Sequence, residues 1–126
     1  MSNEEIDYLT VDDLLEIAAG VIGEVTIRDA GLLAAAAGRP QLTVYGDDAY
    51  PTLEEKAAAL LHSLVRNHAL VDGNKRLAWA ATRVFCILNG HDLTYTVDDA
   101  EHIMLAAVAG DFDVPHLASW IRAHRR

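Results

Sequence analysis

Between Thr52 and Gly90 two strongly apolar helical patterns follow one another, and whatever this chain folds into must be built around them. Thr52-Leu53-Glu54-Glu55 has the spacing of a capping box, in which hydroxyl and carboxylate satisfy orphan amides at a helix start. Behind it Leu53, Ala57, Leu60, Leu61, Leu64 and Val65 recur at helical spacing, which lays one apolar face along a helix ending near Asn67. The second pattern starts at about Asn74 and runs to Asn89, with Gly90 as a left-handed terminator. Leu77, Ala78, Ala80, Ala81, Val84, Phe85, Ile87 and Leu88 make it apolar all round, as expected of a central helix surrounded by others.

Weaker signals frame this pair. Thr10 is placed as an N-cap, with Asp12 and Asp13 in the first turn of a helix ending near Gly20 or Gly23. A short helix is expected from Arg28 to Ala37, stopped by Gly38 and Pro40. Thr96 caps a helix towards Ala109, and Asp113 with Pro115 opens another towards His124. Arg122, Arg125 and Arg126 then fall where a helix dipole favours cations. From Pro40 to Pro51 the helical pattern breaks. Gln41 to Tyr45 alternates with period two and Gly46-Asp47-Asp48 reads as a turn, so an extended flap or weak hairpin is expected. Without repeats or linkers, these signals predict an all-α bundle of about six helices with a short flap, as one domain over residues 1–126.

Composition agrees: 52% of the 126 residues are hydrophobic and only 6% aromatic, which favours packed helices. The single cysteine, Cys86, reads as a buried structural thiol. The acidic start lacks the plan of a signal peptide and no apolar run is long enough to span a bilayer, so a cytoplasmic protein is expected. A formal charge of −9 argues against non-specific binding to nucleic acid or anionic membrane. The distribution is more telling. From Ala57 to His91 the only acidic residue is Asp72, against Arg66, Lys75, Arg76 and Arg83.

The chemistry concentrates in His68-Ala69-Leu70-Val71-Asp72-Gly73-Asn74-Lys75-Arg76, between the two apolar helices. Gly73 permits a tight turn, and the first amides of a helix starting at Asn74 have no intrahelical partner. These amides and the positive end of the dipole form an anion site, to which Lys75 and Arg76 add charge. Two cations at a helix N-terminus otherwise oppose the dipole, by roughly 0.3–1 kcal/mol each at exposed sites. A bound anion resolves that conflict. His68 is a candidate proton acceptor, and Asp72 a candidate carboxylate for a divalent metal carried by nucleotide phosphates.

The same segment resembles the signature of the Fic/Doc superfamily, in its Doc (death-on-curing) branch: His, a spacer, Phe or Leu, a spacer, an acid, Gly or Ala, then Asn-Lys-Arg. It departs from the Fic form in Ala69 for Pro, Leu70 for Phe, Lys75 for Gly, and Trp79 at the second Arg position. The order of helix, flap, capped helix, signature and buried helix also follows the Doc pattern.

The resemblance implies a toxin that transfers the γ-phosphoryl group of ATP to a Ser or Thr hydroxyl on a translation elongation factor of the Tu type. His68 would be the general base and Asp72 would hold Mg²⁺. The Gly73 and Asn74 backbone would form the anion cradle, and Asn74, Lys75 and Arg76 would grip phosphates. The flap residues Leu42, Thr43, Val44 and Tyr45 would dock the target by strand addition. The inhibitory helix of many Fic proteins (Ser or Thr, three residues, Glu, then Gly or Asn) is not found in the sequence, so a separate Phd-like antitoxin is the expected inhibitor.

Two alternatives remain at this point: AMP transfer by the same site, and a degenerate module that binds without reacting. Arg83, one turn beyond Trp79, is a candidate replacement for the missing arginine. Asp98 and His102 stand at i,i+4 but lack an evident third metal ligand. His62, His91, His116 and His124 show no ligand pattern, and Trp79 and Trp120 read as core or partly buried residues.

Overall fold

The computed structural model describes residues 5–126; the acidic opening at residues 1–4, part of the stretch read against a signal peptide, lies outside the described residues. The helices are α1 (Val11–Ile22), α2 (Ala30–Gly38), α3 (Leu53–Asn67), α4 (Asn74–Leu88), α5 (Val97–Ala109) and α6 (Val114–His124). A 3-10 turn (Arg39–Gln41) follows α2. Strands β1 (Thr43–Val44) and β2 (Asp47–Asp48) pair antiparallel, Thr43 opposite Asp48 and Val44 opposite Asp47. This is the expected all-α bundle with a flap. Among the described residues no helix is long and apolar enough to cross a membrane.

Local chemistry sets most boundaries. Thr10 and Thr96 form reciprocal capping boxes with Asp13 and Asp99, while Asp29 and Asp113 accept the amides of Leu32 and His116. At Thr52 only half of the expected box is made. Its hydroxyl accepts from the Glu55 amide at 3.1 Å and donates to Glu55 Oε1 at 2.9 Å, so the carboxylate meets the hydroxyl and not the Thr52 amide. The second helix starts at Ala30, later than the expected Arg28. The amides of Arg28 and Asp29 both donate to the Ala69 carbonyl, and Ile27 bridges Leu70, so this backbone is spent on strand-like pairing before the helix can begin.

The centre of the bundle is α3. It packs against α4, α6, α2, α5 and the 3-10 turn, burying Leu60, Leu61 and Leu64 together with Glu54, Lys56 and Ser63. The expectation that α4 is enclosed all round is corrected: Val84, Ile87 and Leu88 are 37%, 50% and 50% exposed. α4 packs mainly on α3 and α1, burying Leu77, Ala78, Ala81, Phe85 and Cys86 on that flank and leaving the other to solvent. Burial pushes the Cys86 thiol up to about 12, as a structural thiol requires.

Buried charges tie distant segments to α3. Lys56 is 2% exposed, and its Nζ donates to Asp48 Oδ2 at 3.1 Å and to the Tyr50 carbonyl, fastening the flap. Arg39 secures the other side, donating to the Tyr50 hydroxyl at 2.9 Å and Ser63 Oγ at 3.0 Å, with His62 Nδ1 at 2.9 Å. Buried Glu54 pairs with Arg125 at 3.0 Å and Arg122 at 4.0 Å, and Arg126 reaches Asp92 at 3.3 Å. The C-terminal arginines therefore do more than serve the α6 dipole. An unpaired carboxylate at Glu54 would carry a large desolvation cost, and Arg125 removes it.

Candidate active site

The site is built where α3 gives way to α4. His68 ends α3 in the left-handed conformation (φ 52°, ψ 51°), a region that L side chains enter sparingly. Arg28 closes this helix end, its Nε donating to the His68 carbonyl at 2.6 Å and its Nη2 to the Asn67 carbonyl at 3.0 Å. Ala69 and Leu70 are buried, and the Val71 amide donates to Thr26 O at 2.9 Å. From the other side Asn74 clamps Leu70. Its Oδ1 accepts the Leu70 amide and its Nδ2 donates to the Leu70 carbonyl, both at 2.9 Å. The Asn74 side chain is thus occupied by the loop, and what it offers an anion is its backbone N–H.

Gly73 turns the chain into α4 with φ 85°. A Cβ there would lie 2.8 Å from Ile22 Cγ1 of α1, so both the conformation and the space call for glycine. Asp72 Oδ1 accepts the Gly73 amide at 2.8 Å, leaving its second oxygen without a protein partner among the described residues. α4 then begins with no side-chain cap, unlike the other five α-helices. The amides of Asn74, Lys75 and Arg76 make no hydrogen bond among the described residues, and the exposed side chains of Lys75 and Arg76 have no carboxylate partner there. Unsatisfied amides, a dipole and two free cations converge on one point.

His68, Asp72, Gly73, Asn74, Lys75 and Arg76 line one cleft of about 480 Å³, with an apolar wall of Val65, Val71, Leu105 and Val108. The structure thus brings together every residue of the predicted segment that carries chemistry. Lys75 and Arg76 also line a second, more apolar cavity with Trp79, Tyr95 and Met104. Trp79 is partly buried and meets Tyr95 and Trp120 edge-on.

The flap stands apart from this cleft. Leu42, Thr43, Val44 and Tyr45 are exposed, and Leu42 shares a separate depression with Asn67, the residue before His68. Tyr45 (φ 52°) and Gly46 (φ 84°) form the tight two-residue connection of the hairpin.

Arg83 does not stand in for the missing arginine. Its Nε and Nη2 bind Asp92 Oδ1 and Oδ2 at 3.1 and 3.2 Å, its guanidinium lies over Tyr95, and it lines neither cavity. The Arg83 hydrogen bond leads in holding the Asp92 carboxyl down at about 2. Of the remaining histidines, His62 contacts Arg39, His91 the Arg126 carbonyl, His116 the Asp113 carboxylate and His124 the Trp120 carbonyl. No group of three or more His, Cys, Asp or Glu that could hold a metal occurs among the described residues, Asp98 and His102 included. Any metal at the mouth would take Asp72 and otherwise non-protein oxygens, which suits magnesium on a polyphosphate.

Arg28 is the residue that sequence reasoning missed at this site. Placing it inside the second helix hid it. Asp29, an N-cap type directly before an apolar run, was the available signal that the helix starts after it.

The Fic/DOC family model matches residues 8–86, a span from α1 to the last turn of α4. "Toxin Doc" of Mycolicibacterium smegmatis is 53% identical over 118 residues, covering 90% of this chain and 89% of that protein. Similarity of this extent, running through the left-handed histidine and the uncapped helix start, shows that the chain belongs to the Fic/DOC family.

Proposed function

We propose that the protein is a Doc-type toxin kinase, transferring the γ-phosphoryl group of ATP to a Ser or Thr hydroxyl of a target protein, a translation elongation factor of the Tu type. The observation that carries this reading is the uncapped α4 start, where amides and two cations without partners among the described residues face one cleft with His68. His68 accepts the proton of the incoming hydroxyl as its oxygen attacks the γ-phosphorus. The bond from that phosphorus to the bridging oxygen breaks, and ADP leaves with the electron pair. The Gly73–Asn74 backbone, Lys75 and Arg76 hold the phosphates and stabilise the charge that develops, so catalysis is positioning and electrostatics. Asp72 would hold Mg²⁺, which neutralises phosphate charge when bound.

Lys75 occupies the position where the AMP-transferring Fic pattern has glycine, and Arg83 is committed to Asp92. Both favour γ-phosphoryl over AMP transfer. The exposed β1–β2 ribbon offers backbone edges for docking the target segment. A Phd-like antitoxin would silence the site, and the name of the Mycolicibacterium relative supports that setting. With a compartment that supplies ATP and translation factors, the working location is the cytoplasm.

The test is incubation with a bacterial lysate and ATP labelled at either the α or the γ position. Label from the γ position should appear on a protein band and vanish with His68→Ala. Label from the α position would establish AMP transfer in its place, and ATP binding without transfer would mean a non-catalytic module.

A further inference from the structure

The hydrogen bonds that His68 makes among the described residues are at its carbonyl, and its ring has no partner. A base whose imidazole is held by a neighbouring carboxylate is aimed by that neighbour. Here no side chain does this, so the arc the ring can sweep is set by the Cα–Cβ bond, and hence by φ and ψ at residue 68, while χ1 and χ2 select the rotamer within it. Those angles lie in the left-handed region, which histidine enters only when the surroundings hold it there.

Asn74 clamps Leu70 from one side, and the bonds nearest His68 come from a segment forty residues earlier in sequence. Arg28 grips the carbonyls of Asn67 and His68 through its guanidinium and the carbonyl of Ala69 through its amide. Asp29 adds a second amide to Ala69 O, and Thr26 O takes the Val71 amide. Other helix ends in this bundle close by a backbone amide of the cap residue, as at Gly23, Asn89 and Gly110. α3 has no such bond, and the Arg28 fork takes its place.

We infer that Arg28 is the positioning residue for His68: it fixes the left-handed turn that aims the imidazole into the phosphate cleft. The role rests on His68 being the proton acceptor, and it predicts a defect in the rate of transfer, not in nucleotide binding.

The experiment measures initial rates of label transfer from ATP to the acceptor band for wild type, Arg28→Ala, Arg28→Lys, His68→Ala and the Arg28→Ala/His68→Ala pair. Circular dichroism and melting confirm that each variant is folded. Arg28→Ala should lower kcat about tenfold to a hundredfold, the scale expected for a misplaced catalytic group, with KM for ATP within about twofold. Arg28→Lys, which keeps a cationic donor but loses the fork that spans two carbonyls, should recover part of the rate. In the His68→Ala background, loss of Arg28 should cost nothing further. Full activity of Arg28→Ala, a loss confined to KM, or an additive double variant each overturns the inference. Full activity of His68→Ala instead overturns the assignment of the base itself. If Arg28→Ala does not fold, Arg28→Lys and its double variant with His68→Ala carry the same decision.

Discussion

The two ends of α4 carry similar side chains and treat them in opposite ways. At the C-terminal end every strong polar group is paired. Arg83 binds both oxygens of Asp92, Arg126 adds to the same carboxylate, and the Asn89 side chain meets Asp7 and the Phe85 carbonyl. At the N-terminal end Lys75 and Arg76 face a cleft beside three amides without partners among the described residues. Pairing stabilises one end and would disable the other, since a cation already neutralised has little left for a phosphate. The difference marks which end is built for a ligand.

The largest expected effect breaks the comparison at its active end. His68→Ala should lower transfer by about 10²- to 10⁴-fold, the range for a lost general base, while leaving ATP affinity near wild type. Lys75→Ala should instead weaken ATP binding by about tenfold, as loss of one charge-assisted contact does, measurable by calorimetry. Unchanged affinity would detach Lys75 from the phosphates.

Asn74→Ala sharpens the contrast between gripping a ligand and holding a loop. It removes both bonds to Leu70 and should cost about 1–3 kcal/mol of stability by denaturant titration, more than Lys75→Ala, whose side chain is exposed and unpaired. Equal stability of the two variants would show that the clamp contributes little.

The smallest effects belong to the paired end. Arg83→Ala should leave transfer within about twofold of wild type; a collapse of activity would return this residue to the nucleotide site. Asp92 is held at about 2 from an ordinary value of 3.8, so its contribution is present above about pH 4 and is lost as pH falls towards 2. Asp92→Asn should lower Tm above about pH 4 and converge on wild type as pH falls towards 2, which flattens the acid limb in that window.

Much of this was legible in the residues. Thr10, Asp29, Thr52, Thr96 and Asp113 are local devices, acting within three residues of themselves, so the helix starts they set can be read in order along the chain. Only the start beyond Asp29 was placed too early, because a partner at Ala69 claimed the backbone of Arg28. The active segment was legible for the same local reason: Lys75 and Arg76 are wrong for a helix start optimised for stability alone.

What the sequence by itself determined, then, is the set of helices and the anion-seeking character of the α4 start, both properties of neighbours along the chain. The tertiary structure decided the rest. It made α3 the central helix and turned Lys56 and Glu54 inward, because partners from the flap and the C-terminus arrive to neutralise them. It committed Arg83 to Asp92, and it delivered Arg28 to the carbonyl of His68. Each of these depends on a pairing between groups far apart in sequence, and only packing brings such groups within hydrogen-bonding distance.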